Sequence, residues 1–66
     1  MSKNSKRLLH AARHGNLEEV RQLIQENDVD INCKDSYGNN PLKLACFKGH
    51  FEVVKTLIDH GVDVNM

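Results

Sequence analysis

The chain has 66 residues, 39% of them hydrophobic and 27% charged, with one Pro, two Cys and no Trp. That length bounds it to one small domain, and the composition argues against disorder, collagen or a disulfide framework. Nine Lys and Arg balance nine Asp and Glu, so the total charge gives no support for non-specific attraction to nucleic acid or to an anionic membrane.

Residues 1–16 carry Lys3, Lys6, Arg7 and Arg13 with no acid, whereas residues 17–32 carry five acids against Arg21. The alternation then recurs. Residues 33–49 hold Lys34, Lys43 and Lys48 against Asp35, and residues 50–66 hold Glu52, Asp59 and Asp63 against Lys55. No apolar run approaches the ~20 residues of a membrane-spanning helix, and the first residues lack the apolar core of a secretory signal. A reducing, intracellular location, cytoplasmic or nuclear, is therefore expected, with Cys33 and Cys46 as free thiols.

An internal repeat underlies the charge pattern. Placing Gly15 over Gly49, an offset of 34, aligns Leu8 with Leu42, Ala11 with Ala45, Leu17 with Phe51, Val20 with Val54, Leu23 with Leu57 and Ile24 with Ile58. After one extra residue in the first copy, the segment from Val29 to Asn32 matches that from Val62 to Asn65. A period near 33 is that of a helix-pair solenoid.

In chain order, a polar first helix runs through Leu8, Leu9, Ala11 and Ala12 to Gly15. A second helix follows Asn16, which stands in the Asn-x-x-Glu relation to Glu19, a variant of the capping box. Its buried stripe is Leu17, Val20, Leu23 and Ile24. Residues 32–39 form a turn, with Asp35 and Gly38 as turn formers. A third helix starts with Asn40 as cap and Pro41 at its first position and stops at Gly49. A fourth presents Phe51, Val54, Leu57 and Ile58 at helical spacing and ends at Gly61.

Read together, the second copy from Asp35 to Asn65 resembles an ankyrin repeat along its full length, and the first, from about Ser5 to Asn32, resembles the N-terminal repeat of such arrays. The resemblance implies an all-α helix-turn-helix solenoid with residues 5–32 as a capping-type repeat and 33–66 as a second repeat, joined by a β-turn or hairpin loop. Two repeats without a polar last helix imply part of a longer array. Two departures stand out. Asn40-Pro41-Leu42-Lys43 replaces the usual Thr-Pro-Leu-His, which predicts a less rigid turn because Lys43 cannot accept a hydrogen bond. Asn27-Asp28 replaces a single Gly, which predicts a bulge in the first loop.

The resemblance also implies non-catalytic binding of another protein through the concave side formed by turn tips and first helices. By position these residues are Ser36, Tyr37 and Asn39 at the tip and Arg13, His14, Phe47 and Lys48 on the first helices. Because the basic segments contain the first helices, the partner is expected to offer an acidic segment with an apolar anchor. Two alternatives stay open: self-association into a homo-oligomer through Val54, Leu57 and Ile58 on the uncapped last repeat, and a targeting appendage of a larger enzyme or channel.

No cofactor, small-molecule substrate or membrane partner is expected, and no catalytic constellation or phosphate-binding glycine loop occurs. Cys33, Cys46 and His50 have ligand chemistry, yet the chain lacks the close Cys pair of structural zinc sites, and Cys46 reads as a small buried residue at the position of Ala12. Few aromatics accompany the cations, so nucleic acid is not expected either.

Overall fold

The computed structural model describes residues 3–26 and 29–61. Four helices follow one another: α1 (Lys3–His14), α2 (Leu17–Ile24), α3 (Pro41–Lys48) and α4 (Phe51–Asp59), with no strand among the described residues. The bulge expected at Asn27-Asp28 and the second copy of the Val-Asp-x-Asn segment lie outside the described residues.

Local chemistry sets the starts of α2 and α3. Asn16 Oδ1 accepts the Glu19 N–H at 3.3 Å and so caps α2, but the expected capping box is not closed: Glu19 Oε2 accepts the Asn16 side-chain amide at 3.3 Å, and the Asn16 backbone N–H donates to the Ala11 carbonyl at 3.0 Å. At the head of α3, Asn40 Oδ1 accepts the Lys43 N–H at 2.6 Å, and Pro41 occupies the first helical position, where its missing N–H costs nothing. The cap function of the missing Thr is thus supplied by a buried Asn40.

Helices of eight to twelve residues are marginal alone and depend on packing. Here α1 packs on α2 and α3 on α4 within each repeat, while α1 lies against α3, and α2 against α4, between repeats. Leu8, Ala11, Ala12, Val20, Leu23, Ala45, Val53 and Leu57 form one buried cluster that draws on all four helices. Leu17, Ile24, Leu42 and Val54 pack around it. Neither repeat therefore owns a core.

The apolar stripe expected on α4 is corrected by this packing. Leu57 is fully buried, so it belongs to the core and not to a self-association face. Val53 is buried with it, whereas Phe51 is 77% exposed and Ile58 46% exposed. The reason is the stacking. Positions 17, 20 and 24 of the first repeat lie in or against the shared core, but of their counterparts only Val54 packs against it, while 51 and 58 are exposed; Val53, at the position of Glu19, joins the core shared with α1 and α2. Cys46 is corrected for the same reason: Ala12 is buried between repeats, and Cys46, its counterpart, is exposed.

A polar joint also links the repeats. The His50 ring sits over Gly15, whose φ is +71° and at which a Cβ would come 2.6 Å from His50 Nδ1. Its Nε2–H donates to the Arg13 carbonyl at 3.0 Å. Ser5, buried in α1, ties down the connecting loop: its Oγ accepts the Asp30 N–H at 3.1 Å, and its carbonyl accepts the Cys33 thiol at 3.5 Å. Burial, with Asp30 nearby, pushes the Cys33 thiol above its ordinary value, leaving it an inert packing residue.

Candidate functional site

The turn between the repeats is organised by one carboxylate. Asp35 Oδ1 accepts the N–H groups of Tyr37 and Asn39, each at 2.9 Å, and Asp35 Oδ2 lies 3.4 Å from Asn39 Nδ2. The backbone closes the same loop, with the Asp35 N–H donating to the Asn39 carbonyl at 2.9 Å and the Gly38 N–H to the Asp35 carbonyl at 3.1 Å. The Asn39 N–H, helped by those of Tyr37 and the Asn39 side chain, holds the Asp35 carboxyl below its ordinary value. Arg13 adds a looser contact, Nη2 to Oδ2 at 3.8 Å, and this ties the turn to the end of α1.

Between α1 and this turn runs a cleft of about 300 Å³. Leu9 and Leu44 make its apolar floor, Lys6, His10 and Arg13 line the α1 side, and Asp35 and Ser36 line the turn side. The three basic residues are exposed and stand at i, i+4 and i+7, one face of α1, opposite the face that buries Leu8, Ala11 and Ala12. His14 lies one turn beyond His10, with ring centroids 4.3 Å apart and planes tilted by 41°.

A second hollow, of about 270 Å³, is lined by Lys43, Cys46 and Phe47. Shifted back by one repeat, these positions are Leu9, Ala12 and Arg13; two of the three, Leu9 and Arg13, line the first cleft, with the apolar and cationic roles exchanged.

The residues singled out in the sequence fall in three places. Arg13 and Ser36 line the cleft, Phe47 stands in the second hollow, and His14 and Lys48 are exposed at the last turns of α1 and α3. Tyr37, 86% exposed, and Phe47, 83% exposed, are the most open apolar rings. Asn39 is half-buried and spent on Asp35, which makes it a turn residue. Lys6, Leu9, His10 and Leu44 were not anticipated as site residues. The i, i+4, i+7 spacing of Lys6, His10 and Arg13 was the available signal, but the opposite wall comes from a turn more than 20 residues downstream. Among the described residues no group of three His, Cys, Asp or Glu is placed to hold a metal ion.

With the helix pairs and their stacking in view, the relationship to known proteins is direct. The family model "Ankyrin repeats (3 copies)" matches residues 2–66. The chain belongs to the ankyrin repeat family. It is 45% identical over 56 residues to ankyrin repeat domain-containing protein 29 of Danio rerio, a match covering 85% of this chain and 19% of the relative. It is 50% identical over 68 aligned positions to oxysterol-binding protein-related protein 1 of Homo sapiens, covering 89% of this chain and 7% of that protein. Ankyrin repeat domain-containing protein 49 of Bos taurus is 41% identical over 61 residues, with 92% of this chain and 26% of the relative covered. The chain thus spans about a quarter or less of the length of these relatives. Ankyrin repeats generally mediate contacts between proteins.

Proposed function

We propose that this ankyrin chain is a non-catalytic protein-binding module that captures its partner on the side made by the inter-repeat turn and the first helices. The observation that supports this reading is the exposure of Tyr37 on the inter-repeat turn and of Phe47 on α3, together with that of Arg13, His14 and Lys48 at the ends of the first helices. Aromatic rings flanked by cations are the composition of an interaction hot spot, in which the rings supply contact area and the charges orientation and association rate. The partner is a protein with an acidic segment and an apolar anchor.

The test is affinity capture followed by mass spectrometry with the parent chain and a Tyr37→Ala, Phe47→Ala double variant. Both rings are open to solvent, so helicity and melting should stay as they are, because substitutions at such positions shift stability by only about 0.5 kcal/mol each. Loss of the co-purifying proteins is expected. An unchanged set of partners would remove the assignment to this side.

A second reading, association of the chain with itself, is supported by the exposure of Phe51 and Ile58 beside the half-buried Val54. It uses the outer face of α4, with Leu57 excluded by its burial.

A further inference from the structure

From the cleft between α1 and the Asp35 turn we infer a docking site for an acidic peptide segment: an aliphatic side chain seats on Leu9 and Leu44 while flanking carboxylates meet Lys6, His10 and Arg13. The inference rests on the reading that this side of the molecule binds partners and names the pocket, the chemistry and three lining residues, Lys6, His10 and Leu9, that the exposed rings alone do not indicate.

Charge complementarity selects the occupant. The α1 wall offers Lys6, with no ion pair among the described residues, and Arg13, whose single ion pair at 3.8 Å leaves most of its five N–H donors available. The one acid in the cleft, Asp35, offsets part of the Arg13 charge through Oδ2 at 3.8 Å, while its Oδ1 is held by the Tyr37 and Asn39 N–H groups, so Lys6 is the cation of this wall that meets no acid among the described residues. A carboxylate entering from outside therefore meets Lys6 directly and shares Arg13 with Asp35, whose loose contact leaves further guanidinium N–H groups open. The floor supplies the other half of the recognition, since Leu9 and Leu44 belong to a small separate apolar cluster with Cys33 directly beneath the opening.

Volume and shape favour a peptide over a free metabolite. Small-molecule pockets run from roughly 300 to 1,000 Å³ and enclose most of their ligand. This cleft is at the bottom of that range, and Ser36 of its turn wall is followed directly by the exposed Tyr37, so it suits one or two side chains of a segment that continues across the surface. The second hollow, on α3, carries the complementary order, Lys43 at the repeat position of Leu9 and Phe47 at that of Arg13. A segment that places an aliphatic residue in the first site thus meets a further cation and an aromatic ring in the second.

The decisive experiment is a chemical-shift titration of the isotope-labelled 66-residue chain with a blocked pentapeptide in which one leucine is flanked on both sides by acidic residues. Saturable shifts at Lys6, Leu9, His10, Arg13 and Leu44 are expected. A control peptide with the acids replaced by their amides, another with serine in place of leucine, and the Lys6→Glu variant with the parent peptide should each bind about tenfold more weakly, the loss of one good contact. Lys6 is exposed, so the variant keeps its melting temperature. Shifts confined to Tyr37, Phe47 and Lys48 would overturn the cleft and leave the broader binding side intact. Shifts only on α2 and α4 would overturn both. Equal binding of the amide control, no saturable shift at all, or tighter occupation of the same residues by a short oligodeoxythymidylate would each overturn the acidic-peptide assignment.

Discussion

Asp35 is the residue on which the site's shape depends. Its carboxylate receives two backbone N–H groups and faces Arg13, so the turn that walls the cleft is held by a charge. The folded carboxyl sits below its unfolded value, about 3.9 for Asp, with the Asn39 N–H as the main cause. A depressed carboxyl contributes stability that is present above the unfolded value and is lost as pH falls through the folded one. Asp35→Asn keeps an acceptor oxygen for Tyr37 and Asn39 but removes the charge. The expected outcome is a lower melting temperature than the parent at neutral pH and a difference that closes as pH drops below the unfolded value, read from thermal melts at stepped pH. A difference that persists at the lowest pH would mean that geometry, not charge, holds the turn. The two thiols divide along the same residue-level logic: Cys46 is exposed on α3, and Cys33 is buried against Ser5.

At the level of the helices, the glycines that end α1 and α3 have the same backbone but different surroundings. Gly15 has φ +71° under the His50 ring, and Gly49 has φ +76° with open space where a Cβ would stand. Alanine at either position bears the left-handed cost of about 1–2 kcal/mol. At Gly15 the ring must also move, which breaks its bond to the Arg13 carbonyl, a further loss of about 1 kcal/mol. Gly15→Ala should therefore destabilise clearly more than Gly49→Ala in chemical denaturation, and equal midpoints would mean the His50 joint contributes nothing. The helices themselves were legible in the sequence, because Asn16, Asn40, Pro41 and three of the four glycines, Gly15, Gly49 and Gly61, mark their ends. Which face of α4 goes inward was not. Phe51, Val53, Val54, Leu57 and Ile58 crowd a nine-residue helix with apolar side chains, and the choice among them is made by what stacks alongside. Of the residues lining the two hollows, Arg13, Ser36 and Phe47 were singled out in the sequence; the cleft itself was not legible, because Lys6 and Leu9 come to line it only when Ser36 and Leu44 are folded opposite them.

For the molecule as a whole, one shared core carries both repeats. A 66-residue domain has a stability of roughly 3–10 kcal/mol, and shortening a buried Leu to Ala removes about 2–5 kcal/mol. Leu57→Ala should then unfold much of the population at ordinary temperature, with both repeats lost in one transition. Ile58→Glu, on the outer face of the same helix, should keep the parent melting temperature in dilute solution. If copies associate through that face, the parent melt rises with concentration and the Ile58→Glu melt does not. Melts of the three proteins at widely separated concentrations check both statements, and a concentration-independent parent of monomeric mass would dismiss self-association.

The His50 joint also bears on how fast the chain reaches this state. Its partner is Arg13, 37 positions back in a chain of 66, and α1 meets α3 across a similar separation. Most all-helical domains of this size fold through near neighbours and do so very quickly; here the loop that must close spans half the polypeptide before the shared core can form, and its entropy is spent in advance of the reward. A helical protein of this build has the search problem of a small mixed domain, set by the length of its repeat and not by its secondary structure.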